Sequence, residues 1–299
     1  MLIEEYKGYL TLEQGLSGNS RDAYEHDVTM LLDYLDTIGV DCRSVDLTTL
    51  SDFVMELGKM GLSARSQARI VSGVRSFYRF MLYSEKMEYD PAERLMVPKA
   101  GRHLPEVLTL DEIESMIATL EENTVGSIEM IVRRNRAIIE VMYGSGLRVS
   151  ELVNLRFSDI RRNEEFMIIQ GKGGKQRMVP ISEIALTKID EYAKLRGEFG
   201  IKRGEEDIVF LNQRGARLTR TMILIMVKDL AKRAGIKKTI SPHTFRHSFA
   251  TSMLEGGANL RVIQMLLGHE SIETTEIYTH IDNQRLREEI LNFHPRNQK

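Results

Sequence analysis

The stretch around residue 100 limits most strongly how this chain can fold. In Val97-Pro98-Lys99-Ala100-Gly101-Arg102-His103-Leu104-Pro105, two prolines bracket a glycine and basic residues, and helical periodicity is absent. Proline lacks a backbone N–H and interrupts helices, so no helix is expected to run through this stretch. A chain of 299 residues is long enough for two domains of roughly 100–200 residues each. The sequence therefore predicts domains at 1–97 and 107–299, joined by a linker over residues 98–106.

Composition narrows the class of protein. Hydrophobic residues make up 42% and charged residues 28% of the chain, which excludes a disordered or collagen-like chain. No apolar run approaches the ~18–20 residues of a membrane span, and the acidic residues 1–10 do not resemble a signal peptide. Cys42 is the single cysteine, so it can form no internal disulfide. We expect a cytoplasmic protein without membrane insertion.

The formal charge is unevenly distributed. The net charge is -2, but residues 1–100 hold 11 Lys+Arg against 16 Asp+Glu, a balance of -5. Residues 101–299 hold the remaining 30 against 27, a balance of +3. A nucleic-acid-binding surface on such a chain must be a local face, because there is no global excess of positive charge.

The most informative helix of the first domain is predicted over residues 63–83. At about 100° per residue, four arginines fall within an arc of about 120°, opposite an apolar face. These are Arg65, Arg69, Arg75 and Arg79. The pattern is typical of a solvated basic face and also of a helix that faces phosphates. The absence of acidic residues from Ser63 to Ser84, in an acidic domain, favours phosphate binding.

The second domain combines helices with one predicted hairpin. Apolar residues at helical spacing cover most of it, and Thr109 begins the first helix with acids in the first turn. Two short runs, residues 166–170 and 176–179, flank a glycine-rich turn, which predicts a β-hairpin. The fold class is therefore mainly α with a small β-sheet (α+β) in the C-terminal domain.

Two basic residues lie at backbone breaks suited to anion binding. Arg148 follows Gly144-Ser145-Gly146 near a helix start, where N–H groups favour an anion, and Glu151 is close enough to brace it. Lys172 lies between glycines at the hairpin tip, where the turn can approach a ligand closely. Taken alone, each is more typical of an ordinary surface residue. The GKGGK string lacks the spacing of a Walker A loop.

Further polar residues mark two helix ends in the last 60 residues. Ser241 and Pro242 begin a helix on which His243 and Arg246, three residues apart, share a face. His269 follows Gly268, the predicted end of an apolar helix, and Tyr278 comes nine residues later. Taken singly, these residues also fit capping, surface and half-buried roles.

Jointly, these residues resemble the catalytic set of the tyrosine recombinases, the phage integrase family. The strings GSGLRVSELVNL, SPHTFRHSFATSML and LRVIQMLLGHESIETTEIYTHI are especially similar to the Xer recombinases. The resemblance covers nearly the full chain and departs at no catalytic position. It implies a two-domain, C-shaped DNA clamp. Residues 1–97 would be a helical, SAM-like core-binding domain, and residues 107–299 a catalytic domain ending in an exchange helix with apolar Leu286, Ile290 and Phe293.

The resemblance also implies the chemistry. Arg148 and Arg246 would hold a DNA phosphodiester with bidentate hydrogen bonds. His243 and His269 would donate to the phosphate or move protons. Tyr278 would attack to form a 3′-phosphotyrosine, while Lys172 would protonate the leaving 5′-hydroxyl. The phosphotyrosine retains the energy of the broken ester, so we expect no cofactor, neither ATP nor metal.

The expected partners are duplex DNA, a second related recombinase in a tetrameric complex, and a cell-division DNA translocase. The expected role is resolution of chromosome dimers at a dif-like site, favoured because no arm-binding domain precedes residue 1. Alternatives remain open: an integrase or invertase of a mobile element, a type IB topoisomerase-like enzyme, and a non-catalytic DNA-binding protein. Covalent capture of DNA and exchange between duplexes distinguish them.

Overall fold

The structure is a computed structural model that describes residues 2–97, 106–122, 129–171, 176–198, 200–268 and 280–297. The chain divides into two compact units, Met1–His103 and Leu104–Lys299. Most of the predicted linker, residues 98–105, lies outside the described residues. The predicted class, mainly helical with a small sheet, is confirmed. None of the described helices combines the length and the apolar character that a membrane span requires.

The first unit consists of four helices around one apolar core. They are α1 (Leu2–Leu12), α2 (Gly18–Thr37), α3 (Leu47–Lys59) and α4 (Ala64–Tyr83). Side-chain oxygens cap the N-termini of α3 and α4: Asp46 accepts from the N–H of Thr49, and Ser63 accepts from the N–H of Ser66. The core takes aromatic and branched side chains from all four helices, among them Tyr6, Leu31, Phe53 and Phe77.

Helices α2 and α4 pack closely over a buried ion pair. Asp27 of α2 is fully buried, and its carboxylate lies within 2.7 Å of the Arg69 guanidinium on α4. Burial raises the pKa of Asp27, and Arg69 opposes that shift. A Cβ atom on Gly73 would lie 2.9 Å from Cβ of Asp27, so a glycine is needed for this close approach. One arginine of the predicted basic face therefore holds two helices together.

The second unit contains eight α-helices and three strands among its described residues. The first helices are α5 (Leu110–Glu122), α6 (Glu129–Ser145), α7 (Val149–Val153) and α8 (Glu183–Leu195). The last are α9 (Arg220–Arg233), α10 (Pro242–Gly256), α11 (Leu260–Leu267) and α12 (His280–Phe293). The strands are β1 (Ile160–Arg161), β2 (Phe166–Gln170) and β3 (Gln176–Pro180).

The three strands form one antiparallel sheet in the order β1-β2-β3. The register of β2 and β3 pairs Phe166 with Pro180 and Gln170 with Gln176, which confirms the predicted hairpin. Its turn, residues 172–175, lies outside the described residues. Strand β1 was not predicted, because two residues are too few to show the alternation that identifies a strand.

Helix α6 lies at the centre of this unit. It packs against α5, α8 and α10, and residues 137–145 are buried without interruption. Most of these side chains are apolar or small, as expected for a central helix, and the exception, Glu140, is buried in ion pairs with Arg136 and Arg296. Its end leads directly into Gly146 and the start of α7, so the centre of the core positions the first candidate site residue, Arg148.

The C-terminal helix α12 packs onto its own domain. Leu286 and Ile290 are buried with residues of α10 and α11, including Phe249, Met253 and Leu266, and Phe293 packs beside them. Beyond α12, the imidazole of His294 is fully buried, with its ring centre 4.8 Å from that of Tyr143. The predicted apolar stripe of this segment therefore covers the surface of α10 and α11.

Candidate active site

Arg148 directly precedes α7 and is fixed there by Glu151. The Glu151 carboxylate accepts the backbone N–H of Arg148 at 2.7 Å and its guanidinium at 3.0 Å. Both bonds join residues three apart at the start of α7, so the local spacing allows them to form. The predicted bracing of Arg148 by Glu151 is confirmed. The Arg148 side chain remains 37% exposed, so a ligand can reach it.

Arg177 on β3 is a second partner of Glu151, which sequence analysis missed. Its Nη1 and Nη2 donate to the two carboxylate oxygens at 2.7 and 2.8 Å, and its Nε donates to the carbonyl of Leu266 at 3.0 Å. Arg177 lies on the same buried face of the strand as Val179. This alternation was the available signal, because a charged residue at a core-facing strand position needs a buried partner.

Arg246 enters the same region from the second turn of α10. Its Nη1 donates to the carbonyl of Gly146 at 2.8 Å, and its Nη2 donates to the carbonyl of Leu267. Burial is the main cause that lowers the pKa of Arg246 to about 10, and nearby Arg148 adds to the effect. The guanidinium still carries its charge at neutral pH.

Three consecutive carbonyls at the end of α11 each accept from a different arginine. Leu266 accepts from Arg177, Leu267 from Arg246, and Gly268 from Arg148 at 3.0 Å. The last carbonyls of a helix carry partial negative charge, which guanidinium groups stabilise. Gly268 ends the helix with φ +64°, as predicted. The end of α11 is thus the point at which the arginines converge.

His243 lies in the first turn of α10, three residues before Arg246. Its side chain is exposed, whereas Arg246 and Phe245 are buried. Pro242 occupies the first turn, and Ser241 precedes the helix as predicted. The histidine therefore lies at the positive end of a helix, where an anion is favoured.

Three of the six predicted catalytic residues are described, and two of these meet directly around one cluster. Arg148 and Arg246 both contact the end of α11, and His243 lies on the helix that carries Arg246. Lys172, His269 and Tyr278 lie outside the described residues. In sequence, His269 follows Gly268 immediately.

The cluster carries more positive than negative charge. Burial acts to raise the pKa of Glu151, but hydrogen bonds and charges from Arg177 and Arg148 outweigh it, and the pKa is lowered. Glu151 is therefore ionised at neutral pH and offsets one of three guanidinium charges. The remaining charge suits an anionic group such as a phosphodiester.

The four arginines predicted to bind DNA divide into two pairs. Arg69 is ion-paired with buried Asp27, and Arg75 donates to the carbonyl of Leu95. Arg65 and Arg79 are exposed on α4, and 45% of the Arg69 side chain also remains exposed despite its ion pair. A helical wheel places all four arginines on one side of α4. The packing of neighbouring segments distinguishes Arg69 and Arg75, which have protein partners, from the other two, and the wheel does not show that packing.

Comparisons with known proteins match both units. The phage integrase family model matches residues 106–285, and the phage integrase N-terminal SAM-like domain matches residues 3–86. A tyrosine recombinase XerD of Chlorobaculum tepidum is 40% identical over 295 residues, covering 98% of this chain and 96% of its own. A tyrosine recombinase XerD of Listeria monocytogenes is 38% identical over 298 residues, covering 99% of each chain.

A solved structure has the same fold. The XerH site-specific recombinase, crystallised with a palindromic difH substrate in a post-cleavage complex, superposes with a TM-score of 0.72 at 24% identity. The match covers 91% of this chain and 79% of that one. The chain belongs to the phage integrase family, the tyrosine recombinases. It is an enzyme of site-specific recombination, which cleaves and rejoins DNA strands.

Proposed function

We propose that the arginine cluster at the end of α11 binds the DNA phosphodiester that is cut and rejoined. Arg148 and Arg246 hold its non-bridging oxygens and neutralise the charge that grows in the transition state. The observation that carries the proposal is the convergence of both guanidinium groups on the carbonyls of Leu267 and Gly268. The next residue in sequence is His269, and Tyr278 follows within the same segment.

Tyr278 is the proposed nucleophile. Its phenol oxygen attacks phosphorus and forms a 3′-phosphotyrosine, while the bond to the 5′ oxygen breaks and Lys172 gives that oxygen a proton. The phenol proton leaves to His269 or to solvent. Attack by a 5′-hydroxyl of another strand reverses these steps and exchanges the strands. His243, exposed at the start of α10, donates a hydrogen bond to the phosphate.

A duplex nicked close to the cleaved position tests this assignment, because loss of the short released strand traps the covalent intermediate. We expect the wild-type chain to accumulate a protein–DNA adduct on denaturing gels and Tyr278→Phe to form none. Tyr83→Phe is the matched control, since Tyr83 is 65% exposed on the first unit and should react as the wild type does. Equal adduct from Tyr278→Phe would place the nucleophile elsewhere.

The two units have separate proposed roles. Residues 1–97 form the core-binding domain, with α4 as its DNA-contacting helix, and residues 107–299 form the catalytic domain. Both units, joined by residues 98–106, would contact the duplex. The exposure of Arg65 and Arg79 on α4 supports this role for the first unit.

The proposed cellular role is resolution of chromosome dimers at a dif-like site. The XerD names of relatives at 38–40% identity support it. The partners would be a second related recombinase in a tetramer and a cell-division DNA translocase. Exchange between two circular duplexes that each carry the site, measured with and without the partner recombinase, tests this role. Exchange by the chain alone at full rate would argue for a homotetramer.

Helix α12 is proposed to pass to a neighbouring subunit in that tetramer. Its apolar residues Leu286 and Ile290 now cover the surface of α10 and α11, and the same residues could cover the equivalent surface of another copy. A cysteine crosslink between α12 and α10 tests this exchange. Crosslinks formed only within one subunit of the DNA-bound assembly would contradict it.

A further inference from the structure

We propose that Arg177 is a positioning residue for strand cleavage, which holds Arg148 through Glu151 and the end of α11 through the carbonyl of Leu266. The inference rests on the proposed role of Arg148 in binding the phosphate. Arg177 itself is only 8% exposed, and each of its three side-chain nitrogens donates to a protein oxygen. It therefore acts through its neighbours.

The first link runs through the Glu151 carboxylate. Each carboxylate oxygen of Glu151 accepts two N–H groups. Oε1 accepts from the side chains of Arg177 and Arg148, and Oε2 accepts from the side chain of Arg177 and the backbone N–H of Arg148. Because Arg177 takes the bidentate position, Arg148 gives only one side-chain N–H to Glu151. A guanidinium has five N–H donors. Within the described structure Arg148 uses two of them, on Glu151 and Gly268, which leaves three to bind a phosphate.

Loss of Arg177 would change this arrangement in a specific way. The Glu151 carboxylate would lose its two hydrogen bonds from Arg177. Its strongest remaining interaction would then be a bidentate pair with Arg148. Arg148 would then be drawn inward and its charge neutralised by Glu151. Glu151, which now holds Arg148 in place, would then compete with the phosphate for the Arg148 guanidinium.

The second link fixes the end of α11. The Nε of Arg177 lies 3.0 Å from the Leu266 carbonyl oxygen. A Cβ atom on Gly268 would lie 3.0 Å from Cδ of Arg177 and 3.2 Å from its Nε, so the side chain packs directly against the glycine that ends the helix. One arginine on β3 thus sets the position of α7 and the end of α11 together.

The experiment compares Arg177→Met with Arg196→Met in the full-length chain. Arg196 is an equally buried arginine (8% exposed) that donates to the carbonyls of Ile208 and Glu206, and it does not contact Glu151. The substrate is a nicked duplex built on the site that the wild-type chain selects from a library of short duplexes. Cleavage is measured in a single turnover at saturating enzyme, below the unfolding temperature of every variant.

We expect Arg177→Met to cleave about 100-fold more slowly than wild type, the loss typical of a misplaced catalytic group, with nearly unchanged Kd for the duplex. Arg196→Met should cleave within about 3-fold of wild type. If Arg177→Met does not fold, Arg177→Lys and Arg196→Lys replace the pair, since lysine cannot form the bidentate contact. Equal rates for the two members of either pair would overturn the proposal.

A double variant separates positioning from general damage. If Glu151 competes for Arg148 once Arg177 is lost, Glu151→Gln should partly restore cleavage to Arg177→Met, by about 10-fold, because a neutral amide holds Arg148 weakly. A double variant no faster than Arg177→Met contradicts the positioning role. Arg148→Lys tests the proposed function separately: cleavage at the wild-type rate would remove Arg148 from the site, whatever Arg177 does.

Discussion

At the scale of residues, arginines of the same charge have different roles because they differ in exposure and partners. Arg148 is 37% exposed and can meet a ligand, whereas Arg177 is buried with all three nitrogens donating to protein oxygens. Arg246 is buried but keeps its charge, because its pKa of about 10 lies well above neutral pH. The exposed arginine depends on the buried one for its position.

Gly268→Ala tests how closely the cluster tolerates a change at the end of α11. An alanine at φ +64° is strained, and its Cβ would lie 3.0 Å from Cδ of Arg177. We expect a loss of about 1–3 kcal/mol in the free energy of unfolding in urea. Displacement of Arg177 should in addition slow single-turnover cleavage by about 10-fold or more.

Gly235→Ala is the matched control for this substitution. Gly235 has φ +72°, but a Cβ atom there would meet nothing within 4 Å. The same backbone strain should therefore cost similar stability without slowing cleavage. Equal effects of the two substitutions on the cleavage rate would mean that contact with Arg177 is unimportant.

The sequence could predict a contact between two side chains only where the two residues are close together along the chain. Arg148 and Glu151 are three residues apart in one helical turn, so their contact followed from spacing. Arg177 lies 26 residues from Glu151, and their ion pair forms only when β3 packs beside α7. For the same reason, the wheel that grouped Arg69 with Arg65 could not reveal Asp27 on α2.

At the scale of elements, local signals predicted the helices and strands that have clear ends. The helix predicted over residues 63–83 is α4, which starts at Ala64 with Ser63 as its cap, and Gly268 ends α11 as predicted. Strand β1 has only two residues and owes its existence to pairing with β2, so no local pattern identifies it. Propensity marks long elements, whereas short ones depend on their neighbours.

The segment after α12 carries a buried histidine whose charge is incompatible with its surroundings. The His294 ring lies between Tyr143 and Phe249, its Nδ1 accepts the N–H of Arg296, and its Nε2 has no hydrogen-bond partner among the described residues. Burial lowers the pKa of His294 to about 4. Arg296 then pairs with Glu140 on α6. The tail is thus docked most stably with His294 neutral.

The free energy of unfolding of the second unit should therefore decrease as the pH is lowered. Because the folded pKa of His294 is lower than its usual value near 6.5, its contribution is present above pH 6.5 and is lost as the pH falls toward 4. Between pH 7 and pH 5 the wild type should lose about 2 kcal/mol from this group. His294→Phe keeps a ring but no proton site, so its urea-unfolding free energy should depend less on pH by that amount. Ile223→Val, by contrast, shortens a buried side chain of α9 and removes no proton site, so it should keep the full wild-type pH dependence.

At the scale of the whole molecule, the charge balance makes DNA affinity depend on a few local faces. The net charge is -2, and the first third of the chain, which carries α4, is more acidic than the rest. Acidic residues elsewhere on the first unit repel the duplex, so each exposed arginine on α4 matters more than in a basic protein. Arginines used to hold the unit together should contribute little to binding.

The salt dependence of DNA binding separates these two groups of arginines. Replacing Arg65 or Arg79 with Gln should reduce the slope of log K against log salt by about 1, because each phosphate contact releases about one counterion. The free energy of unfolding should not change.

Arg69→Gln removes the same charge but leaves Asp27 buried without its counter-ion. It should cost about 1–3 kcal/mol of stability and leave the slope nearly unchanged. Slopes that fall equally for Arg65→Gln and Arg69→Gln would mean that Arg69 leaves Asp27 to bind phosphate in the complex.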